Sequence, residues 1–174
     1  MITLIKNILS SHRLMPLFMA FIAMTALGAA LASQYFGGLH PCILCIYQRW
    51  PYGIVIALGL IGFLLSCKYI KPVSAIMGLI GLTFIANSVI AFYHTGVEQK
   101  WWKSMFESCS VPELKGDMDQ IIEDIKNRAN AARCDEIPWS DPILHLSMAN
   151  YNIIFCLGLG FIAFISAWMI WKKA

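Results

Sequence analysis

HPCILCIYQRWPYGIVIALGLIGFLLS, residues 40–66, decides the fold. From Ile43 to Ser66 it is strongly apolar with one charge, Arg49, and a helix needs about 20 predominantly apolar residues to cross a bilayer. Two cysteines, Cys42 and Cys45, stand at its head. The stretch thus reads as a membrane span that carries thiols and a permanent cation.

Working outward, three more runs qualify as spans, Leu14 to Ser33, Val73 to Tyr93 and Tyr151 to Trp171, and all three are nearly charge-free. The chain is 59% hydrophobic and 13% charged, against about 45 to 50% apolar in a soluble domain. The expected fold class is an all-α membrane protein, a four-transmembrane-helix bundle forming one domain over residues 1–174. Short links after the first and second spans imply antiparallel neighbours. The long connection, residues 94–150, holds a stretch from Pro112 to Arg133 in which Met118, Ile121, Ile122 and Ile125 recur at helical spacing. A short amphipathic helix is expected there.

Charge sets the orientation, because cytoplasmic flanks collect Lys and Arg. Lys6 and Arg13 precede the first span, Lys68 and Lys71 lie in the short second link, and Lys172 and Lys173 end the chain. All ten acidic residues lie between Glu98 and Asp141. Both termini are expected in the cytoplasm and the long loop on the periplasmic side of a bacterial inner membrane. Ala30-Leu31-Ala32 resembles a signal cleavage site, but the apolar run exceeds the usual 7 to 15 residues of a signal peptide, so retention is expected. A net charge of +3, without a basic cluster bearing interleaved aromatics, gives nucleic-acid binding nothing to rest on. Tyr93, Trp101, Trp102, Trp139 and Tyr151 read as anchors at the outer membrane boundary.

The six cysteines sort by this topology. Cys42, Cys45, Cys109 and Cys134 face the oxidising side, while Cys67 and Cys156 read as small buried hydrophobes. Pro41 suits the first turn of a helix, which places Cys42 and Cys45 on one side of its opening turns, where peptide dipoles favour a thiolate. Arg49 follows on the same face, roughly 6 Å deeper than Cys45 at 1.5 Å per residue. A charge inside a span costs at least about 2.5 to 3.5 kcal/mol and is normally kept for function. Cys109 and Cys134, with 24 residues between them, could form a structural disulfide contributing about 3 kcal/mol. A zinc site would use all four outer cysteines, but a second closely spaced pair is missing, so no metal is expected. Covalent haem is excluded, because Ile46 stands where CxxCH requires histidine.

Two redox-capable pairs on one face suggest electron relay by thiol-disulfide exchange. No flavin, haem or nucleotide motif is present to take the electrons, so a lipid-soluble quinone beside Cys45 is the natural acceptor. Arg49 would stabilise negative charge there, and His94 could donate a hydrogen bond or proton to a quinone oxygen.

CILCIYQR at Cys42 to Arg49, YHTGVE at Tyr93 to Glu98 and two cysteines in the following loop together resemble the disulfide bond formation protein B (DsbB) family, over nearly the whole chain. The resemblance implies a protein dithiol:quinone oxidoreductase. In it, a DsbA-type periplasmic thioredoxin-fold oxidase forms a mixed disulfide with Cys109. Cys134 then attacks Cys42, and Cys45 is released as the thiolate that meets ubiquinone or menaquinone. Arg49 and His94 match the family's quinone-site positions, and a monomer is expected. Two rivals remain: a non-catalytic tetraspan scaffold stapled by structural disulfides, and an enzyme resembling vitamin K epoxide reductase. In the latter, CxxC lies late in the chain rather than at the second span.

Overall fold

The computed structural model describes residues 7–106 and 133–173. Four long helices dominate: α1 (Leu14–Tyr35), α2 (Ile43–Leu65), α3 (Ile70–Glu98) and α4 (Met148–Trp171). Each is long and apolar enough to cross a membrane, and the described residues contain no β-strand. The helix expected within Pro112 to Arg133, and Cys109 with it, lie outside the described residues, apart from Arg133 itself.

Three spans match expectation within a few residues, but the third is longer at both ends, with 29 residues rather than a run from Val73 to Tyr93. Its start tolerates Pro72 because first-turn N–H groups have no intrahelical partner to lose. Its far end adds His94 to Glu98, residues that hydropathy alone would leave in a loop. They stay helical because they are buried and bonded to neighbouring helices. Lys100 (φ 59°) then enters the left-handed region, Lys100 N–H donates to Val97 C=O and Trp101 N–H to Gly96 C=O. This Schellman cap folds the chain back, so that Trp102 stacks on Tyr93.

α2 packs on both α1 and α3, and α3 on α4. Met15 and Met19 of α1, Val55 of α2, Met77 and Phe84 of α3, and Ala163 and Ile170 of α4 share one buried core. Lipid is as apolar as that core, so close packing rather than water exclusion holds the helices together. Two places show it. A Cβ on Gly59 would sit 2.6 Å from the Pro16 carbonyl oxygen of α1. Gly81 and Gly160 face each other across the α3–α4 seam, each within 3.3 Å of the other's carbonyl oxygen if given a Cβ. Outward faces are apolar too: Phe21, Ile54, Leu64, Leu82, Val89 and Phe161 are all exposed.

The bundle has two unlike ends. At one, the Arg13 guanidinium lies over Phe63, the Lys172 ammonium over Trp168, and Lys173 bonds Ser10. At the other lie Cys42, Cys45, His94 and Ser147, because the antiparallel helices bring the start of α2 and α4 to the end of α3.

Candidate thiol site at the head of the second span

Cys42 is the N-cap of α2, with extended backbone (φ −73°, ψ 169°), and its sulfur accepts the Cys45 N–H at 3.3 Å. Pro41 therefore stands just before the cap and not in the first turn, a correction of one residue. The cap geometry brings the two sulfurs to 2.9 Å as free thiols, with Cys42 buried and Cys45 half-buried. The hydrogen bond with Cys45, and then burial, hold the Cys42 thiol above its ordinary range. When two sulfurs are this close, one is the poorer thiolate, and the other is the better leaving group in exchange.

Cys134 enters the same buried cluster, with Cys42, Leu44 and Val97, and it is disulfide-bonded. Flanking it, Arg133 forms a two-pronged ion pair with Asp135 (3.0 and 2.8 Å) and reaches Glu136 at 2.9 Å. Phe106, packed against this cluster, also lies 5.5 Å from the Tyr47 ring. Phe106 and Cys134 are thereby seated on the head of α2.

Arg49 lies on the Cys45 side of α2, half-buried, and its guanidinium reaches α1, donating to Gln34 Oε1 at 2.6 Å and to the Ala30 carbonyl at 3.4 Å. Two acceptors leave further N–H groups of its five for another ligand. Ile46 and Trp50, beside Cys45 and Arg49 on α2, are exposed on the apolar surface. The Cys45 side of α2 therefore presents an apolar surface with a thiol and a cation beside it.

His94 is buried, not free at an interface. Its Nε2 lies 3.5 Å from Cys42 Sγ and 3.7 Å from Glu98 Oε1, and its Nδ1 lies 2.8 Å from Gln48 Nε2. Glu98 in turn accepts from the Ser147 hydroxyl at 2.5 Å, and Thr95 donates to Asn150 at 2.8 Å. The sulfur and nitrogen atoms of Cys42, Cys45 and His94 fall within 4.8 Å of one another, a donor set that could hold a soft metal ion.

Gln34, Gln48, Glu98, Ser147 and Asn152 are polar neighbours of the site to which the sequence reading assigns no role, although Gln48 and Glu98 fall within the CILCIYQR and YHTGVE stretches. The available signal was their polarity in or beside apolar spans, where unpaired polar groups are costly. The other two cysteines also depart from expectation. Cys67 is exposed rather than buried, because it falls just past the end of α2. Cys156 is buried as expected, yet it is hydrogen-bonded: Asn87 donates to its sulfur at 3.4 Å, and it donates to Asn152 Oδ1 at 3.3 Å.

Comparison with known proteins places residues 12–166 under the family model described as "Disulfide bond formation protein DsbB". A disulfide bond formation protein B from Azoarcus sp. (strain BH72) is 27% identical over 167 residues, covering 91% of this chain and 93% of the relative. One from Shewanella sp. (strain MR-4) is 29% identical over 72% of this chain and 70% of the relative. One from Aeromonas salmonicida (strain A449) is 33% identical over 63% of this chain and 61% of its own length.

Proposed function

The chain belongs to the DsbB family of disulfide-forming membrane thiol oxidoreductases, its four spans fit a multi-pass bacterial inner-membrane protein, and from that premise we propose that it reoxidises a DsbA-type periplasmic thioredoxin-fold oxidase at the expense of membrane quinone. Both termini are cytoplasmic in this proposal, and the thiol end faces the periplasm. The observation that carries it is the pair Cys42 and Cys45, 2.9 Å apart at the head of a span, with Cys134 packed in the Cys42 cluster.

The reduced partner's thiolate attacks Cys109 of a Cys109–Cys134 disulfide and forms a mixed disulfide, which the partner's second thiol resolves, so the partner leaves oxidised and the loop pair reduced. The Cys134 thiolate attacks Cys42 of the Cys42–Cys45 disulfide, forming a Cys42–Cys134 bond and releasing Cys45 as thiolate. Cys109 then resolves that bond, which restores the loop disulfide and leaves Cys42 and Cys45 as a dithiol. Ubiquinone or menaquinone, when bound, is the two-electron, two-proton sink that reoxidises the dithiol. Cys45 meets it from the lipid side, and Arg49 supplies positive charge where negative charge develops.

The test is quinone absorbance during turnover of purified protein with a reduced DsbA-type partner, together with thiol trapping of each cysteine. Reduction of quinone at one equivalent per partner disulfide is expected. Normal turnover by Cys45→Ser or Cys109→Ser protein overturns the relay, as do cysteine pairs that stay oxidised when quinone is withheld, the behaviour of a stapled scaffold.

A further inference from the structure

A chain of polar side chains runs from the middle of the bundle to the thiols. The Tyr52 hydroxyl and the Cys156 thiol both bond Asn152 Oδ1, and Asn152 Nδ2 donates to Gln48 Oε1 at 2.6 Å. Gln48 Nε2 then lies 2.8 Å from His94 Nδ1 and donates to the Leu44 carbonyl at 3.3 Å. Gln48 and His94 are only 7% and 4% exposed, so water does not compete for these bonds.

The Leu44 carbonyl breaks the ambiguity in this chain. Turning the Gln48 amide over would set its oxygen against that carbonyl oxygen, two acceptors facing each other in a buried site. With the amide nitrogen held there by Leu44 and its oxygen by Asn152, Gln48 presents a donor to Nδ1. Nδ1 must therefore be the accepting nitrogen, and the ring hydrogen lies on Nε2, the atom 3.5 Å from Cys42 Sγ.

We propose that Gln48, itself held by Asn152 and the Leu44 carbonyl, is a positioning residue that fixes His94 as the Nε2–H tautomer and aims that hydrogen at the Cys42 sulfur. The proposal rests on the relay described above for its purpose: an N–H directed at Cys42 stabilises the thiolate that Cys42 becomes when Cys109 attacks Cys134 and breaks the Cys42–Cys134 bond. The same arrangement opposes metal capture by Cys42, Cys45 and His94, since a metal at Nε2 needs a lone pair there and a hydrogen on Nδ1.

The experiment is nitrogen-15 NMR of histidine-labelled, full-length reduced protein in detergent micelles, with His94 assigned among the four histidines by the signals that vanish in His94→Phe. Wild-type protein is expected to show an unprotonated Nδ1 and a protonated Nε2. Gln48→Glu replaces the donor facing Nδ1 with an acceptor and is expected to move the Nδ1 resonance to its protonated position. Gln48→Leu is expected to mix the two tautomers and slow the resolution of the Cys42–Cys134 bond by Cys109 about tenfold, the worth of one hydrogen bond, leaving the KM for quinone unchanged. A protonated Nδ1 with a bare Nε2 in the wild type overturns the proposal without recourse to any variant, and so does an unaltered His94 spectrum in Gln48→Leu. The expected tautomer in a protein that fails to reduce quinone upholds the positioning role and removes the relay, so the two readings fail separately.

Discussion

The two ends of this bundle solve the same problem, charge beside lipid, in opposite ways. At the basic end, Arg13 and Lys172 lie over aromatic rings and Lys173 reaches Ser10, and each cation stays near water. Long basic side chains there pay little, because the charged head can snorkel. At the thiol end, His94, Glu98 and Gln48 are buried, and every one has a partner on another helix. Buried polar groups without partners would cost about 1 to 3 kcal/mol each, so this end is constrained where the other is tolerant. Constraint of that kind is what a site needs if thiols are to meet at fixed distances.

The strongest way to break the comparison is at the sulfurs. Cys45→Ser removes one of the atoms that must carry electrons, and complete loss of quinone reduction is expected in the absorbance assay. Lys173→Gln, its counterpart at the basic end, is expected to turn over at the wild-type rate. Equal loss in both would mean that the two ends do not differ in function.

Arg49 sharpens the contrast, because it is a cation placed at the constrained end. Gln34 and the Ala30 carbonyl hold its guanidinium across the α1–α2 seam. Arg49→Leu is expected to lower kcat/KM for quinone by about 100-fold, the scale of losing one preorganised charge donor. The rate of mixed-disulfide formation with the partner should stay the same, which a quench-and-trap measurement reads directly.

Sequence alone shows the spans, the thiols and Arg49, since hydropathy and spacing are local properties. It places Cys42 and Cys45 at a helix start, and it misses by one residue which of Pro41 and Cys42 is outside. It does not show that α3 continues through His94 to Glu98, because what keeps that segment helical is Ser147, Asn150 and Gln48, which come from other parts of the chain. For the same reason, Gln48 and Asn152 look like isolated polar residues until they are seen 2.6 Å apart. Cys156 shows the limit from the other side: its burial was legible, its hydrogen bonds to Asn87 and Asn152 were not.

Between the two ends, the seam of α3 and α4 combines close packing with a few side-chain hydrogen bonds, among them Ser74 to the Ala167 carbonyl and Ser88 to the Ile153 carbonyl. Gly81→Val would push a side chain toward the Phe164 ring at 3.1 Å and the Gly160 carbonyl at 3.2 Å. A loss of about 1 to 3 kcal/mol is expected, read as a lower thermal unfolding midpoint in detergent. Because the thiol site lies at the far end of α3, turnover per folded molecule should change little. A fall in turnover without a fall in stability would show that the seam transmits strain to the thiols.

The smallest effect is expected from the exposed clamp around Cys134. Arg133 hydrogen bonds hold the Asp135 carboxyl below its ordinary value of 3.8. A carboxylate depressed on folding adds stability above its unfolded pKa and loses it as the pH falls through the folded one. The contribution is therefore present at neutral pH and disappears on acidification below 3.8. Arg133 is 37% exposed and screened by water, so Asp135→Asn should cost only about a few tenths of a kcal/mol at pH 7. The same substitution should cost nothing at a pH low enough to protonate the wild-type carboxyl. Unfolding midpoints of both proteins at the two pH values test this, and an equal cost at both would mean that the clamp holds Cys134 by shape rather than by charge.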